Sequence, residues 1–254
     1  MHELEIATPV DVDATLDDIA ARYAQAGGVG IDLLNLIGGR ADSLIDRLPT
    51  RVRDGLQDAT VKALGQAMRA AHSSRSVVPD QKSWLNTAVG TAMGAAGGMG
   101  GLPTALAELP VTTTLLLRII QGVAVEHGFD PSAQNVQFDC VQVFSAAGPL
   151  SSDDGADLGF LSARMALSGR AVHGIIARVA PRLATVLGQK LATQTIPVLG
   201  AVAGAATNYA YTSYYQDMAH VHFGLRKLAI DADVPVEDLI ARLRLRLPRS
   251  GALV

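Results

Sequence analysis

The residues able to do acid–base or metal chemistry gather in one stretch, YYQDMAHVHF at residues 214–223. Asp217 and His220 are three apart, so one helical face holds both. His220 and His222 are two apart and point to different sides of a helix, which argues against a two-histidine clamp within this stretch. His127 and His173 can join only through the fold. A metal or acid–base site built on Glu108, Asp217 and His220 is chemically sensible, because carboxylates and imidazoles carry protons and bind cations. The competing reading, and the preferred one, is a buried polar network of Glu108, Arg118, Asn208, Asp217 and His220 that orients packed helices. If Glu108 and Arg118 are buried, each needs an opposite charge. The expected pairs are Arg118 with Asp217 and Glu108 with a histidine.

Reactive motifs are missing elsewhere. There is no G-x-S-x-G, S-x-x-K, H-E-x-x-H or G-x-x-x-x-G-K-[ST]. GAAGGMGG lacks a preceding strand and a following lysine, so it is no phosphate loop. Cys140 has no basic neighbour in sequence and reads as a small buried apolar residue. The expectation is therefore no assigned catalytic residue, no metal and no cofactor, with a leaning against enzymatic activity.

The elements that must position these residues are helices. The central stretch runs from Trp84 to Arg118, with Glu108 as its only charge before Arg118. Gly90, Gly94 and Gly98 recur every four residues, followed by Gly101. That spacing strips one helical face and admits another backbone. Each glycine costs a helix about 1 kcal/mol relative to alanine, so close packing or an apolar medium must compensate. A second uncharged block, Leu191–Gln216, repeats the small-residue spacing at Gly200 and Gly204, and its helix runs on to about Asp231. The two glycine faces are expected to touch, or to contact lipid.

Around them, Thr15–Gln25 reads as a helix capped by Asp13 or Thr15, and Ile31–Leu48 as a second, interrupted at Gly38-Gly39. Thr50–Ala71 reads as a third, with Val52, Leu56, Ala59, Ala63, Leu64 and Met68 on one stripe and a solvated charged face opposite. His72–Asp80 reads as a linker. Gly101-Leu102-Pro103 reads as a turn before a helix that Pro110 restarts or kinks and Gly128 caps. Ser132–Ala147, then Asp157–Leu187 with a break near Gly169 or Pro181, and Pro235–Leu247 complete the series. No convincing alternating strands occur. The fold class is all-α: one domain over 14–247, with a flexible acidic lead at 1–13 and a flexible tail at 248–254.

Composition narrows the function classes. Of 254 residues, 49% are hydrophobic and 18% charged, against roughly 25% charged in an average soluble domain. A net charge of −3 provides no basic field for nucleic acid. One cysteine suits a reducing compartment. The N-terminus lacks a basic-then-apolar signal pattern. Neither uncharged block is expected to span a bilayer, because Gly, Thr, Asn and Gln are frequent in both.

The two blocks also carry a resemblance. VGTAMGAAGGMGGLPTALAELPVTTTLLLRIIQGVAVEHGFDP resembles the central signature of the EcsC protein family. LPTRVRDGLQDATVKAL resembles its N-terminal helix, and QKLATQTIPVLGAVAGAATNYAYTSYYQDMAHVHFGLRKL its C-terminal signature. The resemblance covers about Leu33 to Leu228. Departures are the Gly38-Gly39 break and a shorter, more apolar tail. The family is bacterial and named from a gene beside an ABC-type exporter, and it has no settled biochemical function. The resemblance implies a helical fold and proximity to a membrane, but no mechanism.

The leading expectation is a non-enzymatic, cytoplasmic protein, peripheral to the inner face of the membrane, that binds lipid or a membrane-protein partner. Tyr209, Tyr211, Tyr214, Tyr215 and Phe223 would sit at the polar–apolar boundary. Arg242, Arg244, Arg246 and Arg249 would face an anionic surface, although the same alternation with leucines suits a docked terminal helix with solvated arginines. The alternatives are a soluble helical scaffold or regulator, and a hydrolase or metal-dependent enzyme using Glu108, Asp217 and His220.

Overall fold

The computed structural model describes residues 10–26, 46, 48–75, 101–146, 158–161, 171–194 and 200–247. The described residues form seven α-helices and one short 3₁₀ turn, with no strand among them. Helix α1 spans Val12–Gln25, α2 Thr50–Arg75, α3 Gly101–Glu126, α4 Gln134–Val143, α5 Ala171–Gln194, α6 Gly200–Asp231 and α7 Val236–Arg246; Leu158–Leu161 is the 3₁₀ turn. The all-α expectation holds. Gly90, Gly94 and Gly98 and the expected helix over 84–100 lie outside the described residues, as do segment 31–45 and Gly169.

Local chemistry explains most boundaries. Asp11 caps α1, its carboxylate accepting from the backbone N–H groups of Asp13 and Ala14 at 3.1 and 3.0 Å. The helix therefore starts earlier than the expected Thr15, since the real cap is the first acid able to reach back. Helix α2 keeps going through His72-Ser73-Ser74-Arg75, which composition alone marked as linker. Its charged face is exposed as expected, while Leu56, Thr60, Ala63, Leu64 and Ala67 are buried and α2 packs on α3 and α5.

Two prolines fail to break their helices. Gly101-Leu102-Pro103 is the first turn of α3 rather than a separate loop, and Pro110 lies inside it. Thr113 and Thr114 donate their hydroxyls to the carbonyls of Leu109 and Pro110, both at 2.7 Å, which binds the turn after the proline with side-chain hydrogen bonds. Pro181 is likewise accommodated inside α5, with the Thr185 hydroxyl donating to its carbonyl at 3.2 Å. The end of α3 follows expectation. Gly128 has φ +82°, and the N–H groups of Gly128 and Phe129 donate to the carbonyls of Val125 and Ala124. This is a Schellman closure, which needs a left-handed residue.

Helix α6 is the centre. It packs against α1, α3, α4, α5 and α7. From Ala206 to Arg226 only Tyr209 is exposed. Tyr211 donates its hydroxyl to the Val186 carbonyl at 3.0 Å, joining α6 to α5. The rings of Phe144 and Tyr215 meet edge to face at 5.2 Å. Tyr211, Tyr214, Tyr215 and Phe223 are therefore core residues, and the expectation that they anchor a membrane boundary is corrected: their rings are taken up by packing between helices. Three contacts fix directions. Thr112 of α3 meets Lys190 of α5, Val186 of α5 meets Tyr211 of α6, and His127 after α3 meets His220 of α6. So α3 and α6 run the same way and α5 runs against them. The charge-poor start of α3, the uncharged end of α5 over 191–194 and the uncharged first half of α6 thus lie at one end of the bundle.

The terminal helices close the other end. Leu239, Ile240 and Leu243 of α7 are buried, and Leu245 is 79% exposed. Arg242 bonds Asp13 at 2.6 Å and Arg246 bonds Asp17 at 2.7 Å and also Asp13. Two of the tail arginines expected at an anionic surface are thus engaged within the chain. Hydrogen bonds from Arg242, then Arg246, hold the Asp13 carboxyl below its ordinary range. A carboxyl lowered on folding stabilises above its unfolded pKa, and loses that contribution as pH falls through the folded value. Asp13→Asn should therefore melt below the parent at about pH 7, and the gap should shrink as the pH falls to about 3 and below. Thermal unfolding at both pH values checks this, and an undiminished gap at the lower pH contradicts it.

Candidate functional site

The chemically capable side chains meet where α1 crosses α6 beside the end of α3. Ile19 and His127 lie within ordinary contact of the position a Cβ on Gly224 would take, at 3.5–3.7 Å. A cleft of about 350 Å³ opens there, lined by Asp18, Arg22, His127, His220 and Lys227 among others.

His127 follows α3 directly and is held by the Gly128 closure; His220 sits in the middle of α6. Their rings meet, His127 Nε2 lying 3.1 Å from His220 Nδ1, with centroids 5.4 Å apart and planes inclined at 66°. On the far side of His220, Nε2 lies 3.7 Å from Glu126 Oε2. That carboxylate favours a proton on His220 Nε2, which leaves Nδ1 as the lone pair facing His127. Burial lowers both imidazoles. His220 is pushed down to about 4, by burial first and then by Arg22 and His127. His127 is also lowered, by burial against an opposing pull from Glu126. At neutral pH the pair is uncharged, one ring donating and the other accepting.

Asp217 lies one turn before His220. Its partner is Arg22 of α1, at 3.2 Å, and not the expected Arg118. The reason is geometric: α1 covers this face of α6. Burial raises the Asp217 carboxyl, and the charge and hydrogen bond of Arg22 only partly counter it. Arg118 is half-buried and has its own interaction. The side chains of Glu108 and His173, and with them the expected pairing of Glu108 with a histidine, lie outside what the structure describes.

The expected single polar network divides. Asn208 is buried on α6, but twelve residues, or about 18 Å of helix, separate it from His220. It belongs to a layer of buried polar residues toward the charge-poor end: Thr112 and Thr113 on α3, Gln189 and Lys190 on α5, Thr207 and Asn208 on α6. Lys190 is 2% exposed, and its ammonium donates to the Thr112 hydroxyl at 3.2 Å. Sequence reasoning missed this lysine. The signal was present, because Lys190 continues the apolar stripe Leu183, Val186 and Leu187. His222, the third histidine nearby, faces α4, with Nε2 3.6 Å from Asp139. Asp139 also pairs with Arg226, which stacks on Phe129 at 4.4 Å. His220 and His222 do diverge, as their spacing requires. Cys140 is buried, as expected.

Among the described residues no group of three or more His, Cys, Asp or Glu side chains is arranged to hold a metal. Among the described residues one segment, Leu109–Glu126, is long and apolar enough to cross a membrane, yet 56% of it is buried inside the bundle, as in a core helix.

These features define an all-α bundle protein built around one enclosed helix, with a small histidine cleft at its charged end. The EcsC protein family model matches residues 46–228, and the chain belongs to that family. Comparison with curated proteins and with solved structures gave no match.

Arg22 is what keeps the Asp217 carboxyl from rising further. Arg22→Met should therefore raise the Asp217 pKa above its value in the parent. Carboxyl titration by NMR checks this, and an unchanged or lower value would show that the ion pair does not govern the site.

Proposed function

We propose that this protein is a non-enzymatic, membrane-proximal helical protein whose charge-poor end contacts lipid, with its charged end in water. The observation that carries the reading is the alignment of helices. The start of α3 (101–117), the end of α5 (191–194) and the first half of α6 (200–216) together contain one charge, Glu108, and they lie at the same end. Segments 84–100 and 195–199, which lead into α3 and α6, are also uncharged. A bundle with this polarity has an end that loses little on leaving water. Val111 and Tyr209 are large apolar residues exposed in these same stretches. A position on the cytoplasmic side fits a chain with a single cysteine, which is buried.

The contact proposed is apolar rather than electrostatic. The tyrosines of α6 other than Tyr209 are occupied in the core, and Arg242 and Arg246 bind α1. An enzyme built on Glu108, Asp217 and His220 gains no comparable support, since Asp217 is engaged by Arg22.

Flotation tests this reading. The full chain should rise with phosphatidylethanolamine–phosphatidylglycerol vesicles, and high salt should not release it, since screening leaves apolar contacts intact. Val111→Lys with Tyr209→Lys should abolish flotation while leaving the melting temperature within a few degrees, because both positions are exposed. A chain that remains at the bottom of the gradient with these vesicles overturns the proposal and leaves the scaffold reading in its place.

A further inference from the structure

We propose that His127 and His220 form a two-histidine binding site for a divalent transition-metal ion of the zinc, nickel or copper class. The proposal is independent of lipid binding, because the cleft lies at the opposite, charged end of the bundle.

The geometry of the ring nitrogens is the first argument. His127 Nε2 and His220 Nδ1 are 3.1 Å apart. A tetrahedral ion with metal–nitrogen bonds of about 2.0–2.1 Å spans its two ligand nitrogens by roughly 3.3 Å. The spacing is thus close to that of a chelate, and each ring must also tilt by roughly 35° so that the two lone pairs converge on the ion rather than on each other. The two nitrogens come from positions 93 residues apart, so the fold and not local sequence brings them together.

The surroundings of each ring are the second argument. Glu126 approaches the opposite nitrogen of His220 at 3.7 Å. A carboxylate behind a ligating imidazole fixes the tautomer and strengthens the ligand, as metal sites commonly require. His127 stands just past the C-terminus of α3, where the helix dipole favours a cation.

Charge and space are the third. Arg22 is bonded to Asp217, and Lys227 to Asp231 at 2.6 Å. Each of the two side-chain cations lining the cleft thus has a carboxylate partner. Asp18 lines the same cleft. The cleft has room for water, and water completes the coordination, since no third protein ligand is in place among the described residues. Such a site binds metal with modest affinity and leaves positions open.

Isothermal titration of the full, untagged chain with nickel or zinc chloride is the test, supported by copper(II) electron paramagnetic resonance. One ion per chain with two nitrogen ligands is expected. His127→Gln and His220→Gln should each weaken binding by about tenfold or more, and Glu126→Gln by several-fold up to about tenfold. His222→Gln, whose ring faces Asp139, should leave binding unchanged. Circular dichroism would establish that each variant is folded; if a histidine variant is not, the Glu126→Gln effect and the copper spectrum decide. No binding at about 1 mM metal, or binding equally strong in His127→Gln and His220→Gln, or in Glu126→Gln with no two-nitrogen copper spectrum, would overturn the proposal.

Discussion

The enclosure of α6 is the constraint on which the rest of the structure depends. A helix of 32 residues packed on by five others has no wide polar face available, so its side chains must satisfy one another and their neighbours locally. Tyr211 does so by reaching the Val186 carbonyl, whereas Tyr215 packs edge to face on Phe144 and its buried hydroxyl has no hydrogen-bond partner among the described residues. Where polar groups enter the interior they come as a layer, with Lys190 bonded to Thr112. An unpaired ammonium in such a place would cost several kcal/mol, and this makes the layer a fixed register between α3, α5 and α6.

From that enclosure follows the polarity of the molecule. Charges enter α6 only from Asp217 onward, and each described one meets a partner on another element or on its own helix: Asp217 with Arg22, Arg226 with Asp139, Lys227 with Asp231. The ion pairs of α1 and α7 add to the same end. The opposite end has the charge-poor stretches of α3, α5 and α6, where Lys190 is buried against Thr112. One molecule of the EcsC family thus presents two chemically different ends, and the functional proposals divide between them.

Much of the architecture was legible in the sequence. The stripe of α2, the Gly128 closure, the long final reach of α6 to Asp231 and the terminal helix near 235–247 follow from periodicity and caps, which are local. Where local rules misled, a side chain or the tertiary fold compensated. Thr113, Thr114 and Thr185 bind the backbone beside Pro110 and Pro181, so both helices persist. The site was only half legible. Asp217 and His220 stood out because they share a helical face. Arg22 and His127 could not be paired with them, since 195 and 93 residues intervene. Lys190 was hidden for another reason: its neighbours are so apolar that the stripe reads as core, which it is.

Native-state hydrogen exchange tests the central claim most directly. If α6 is the enclosed rod around which the bundle is built, its amides from about Thr207 to Phe223 exchange only through global unfolding. Those of α1, a short terminal helix packed only on α6 and α7 among its main neighbours, exchange through smaller local openings. Amides in the middle of α6 that exchange as readily as those of α1 would contradict the account.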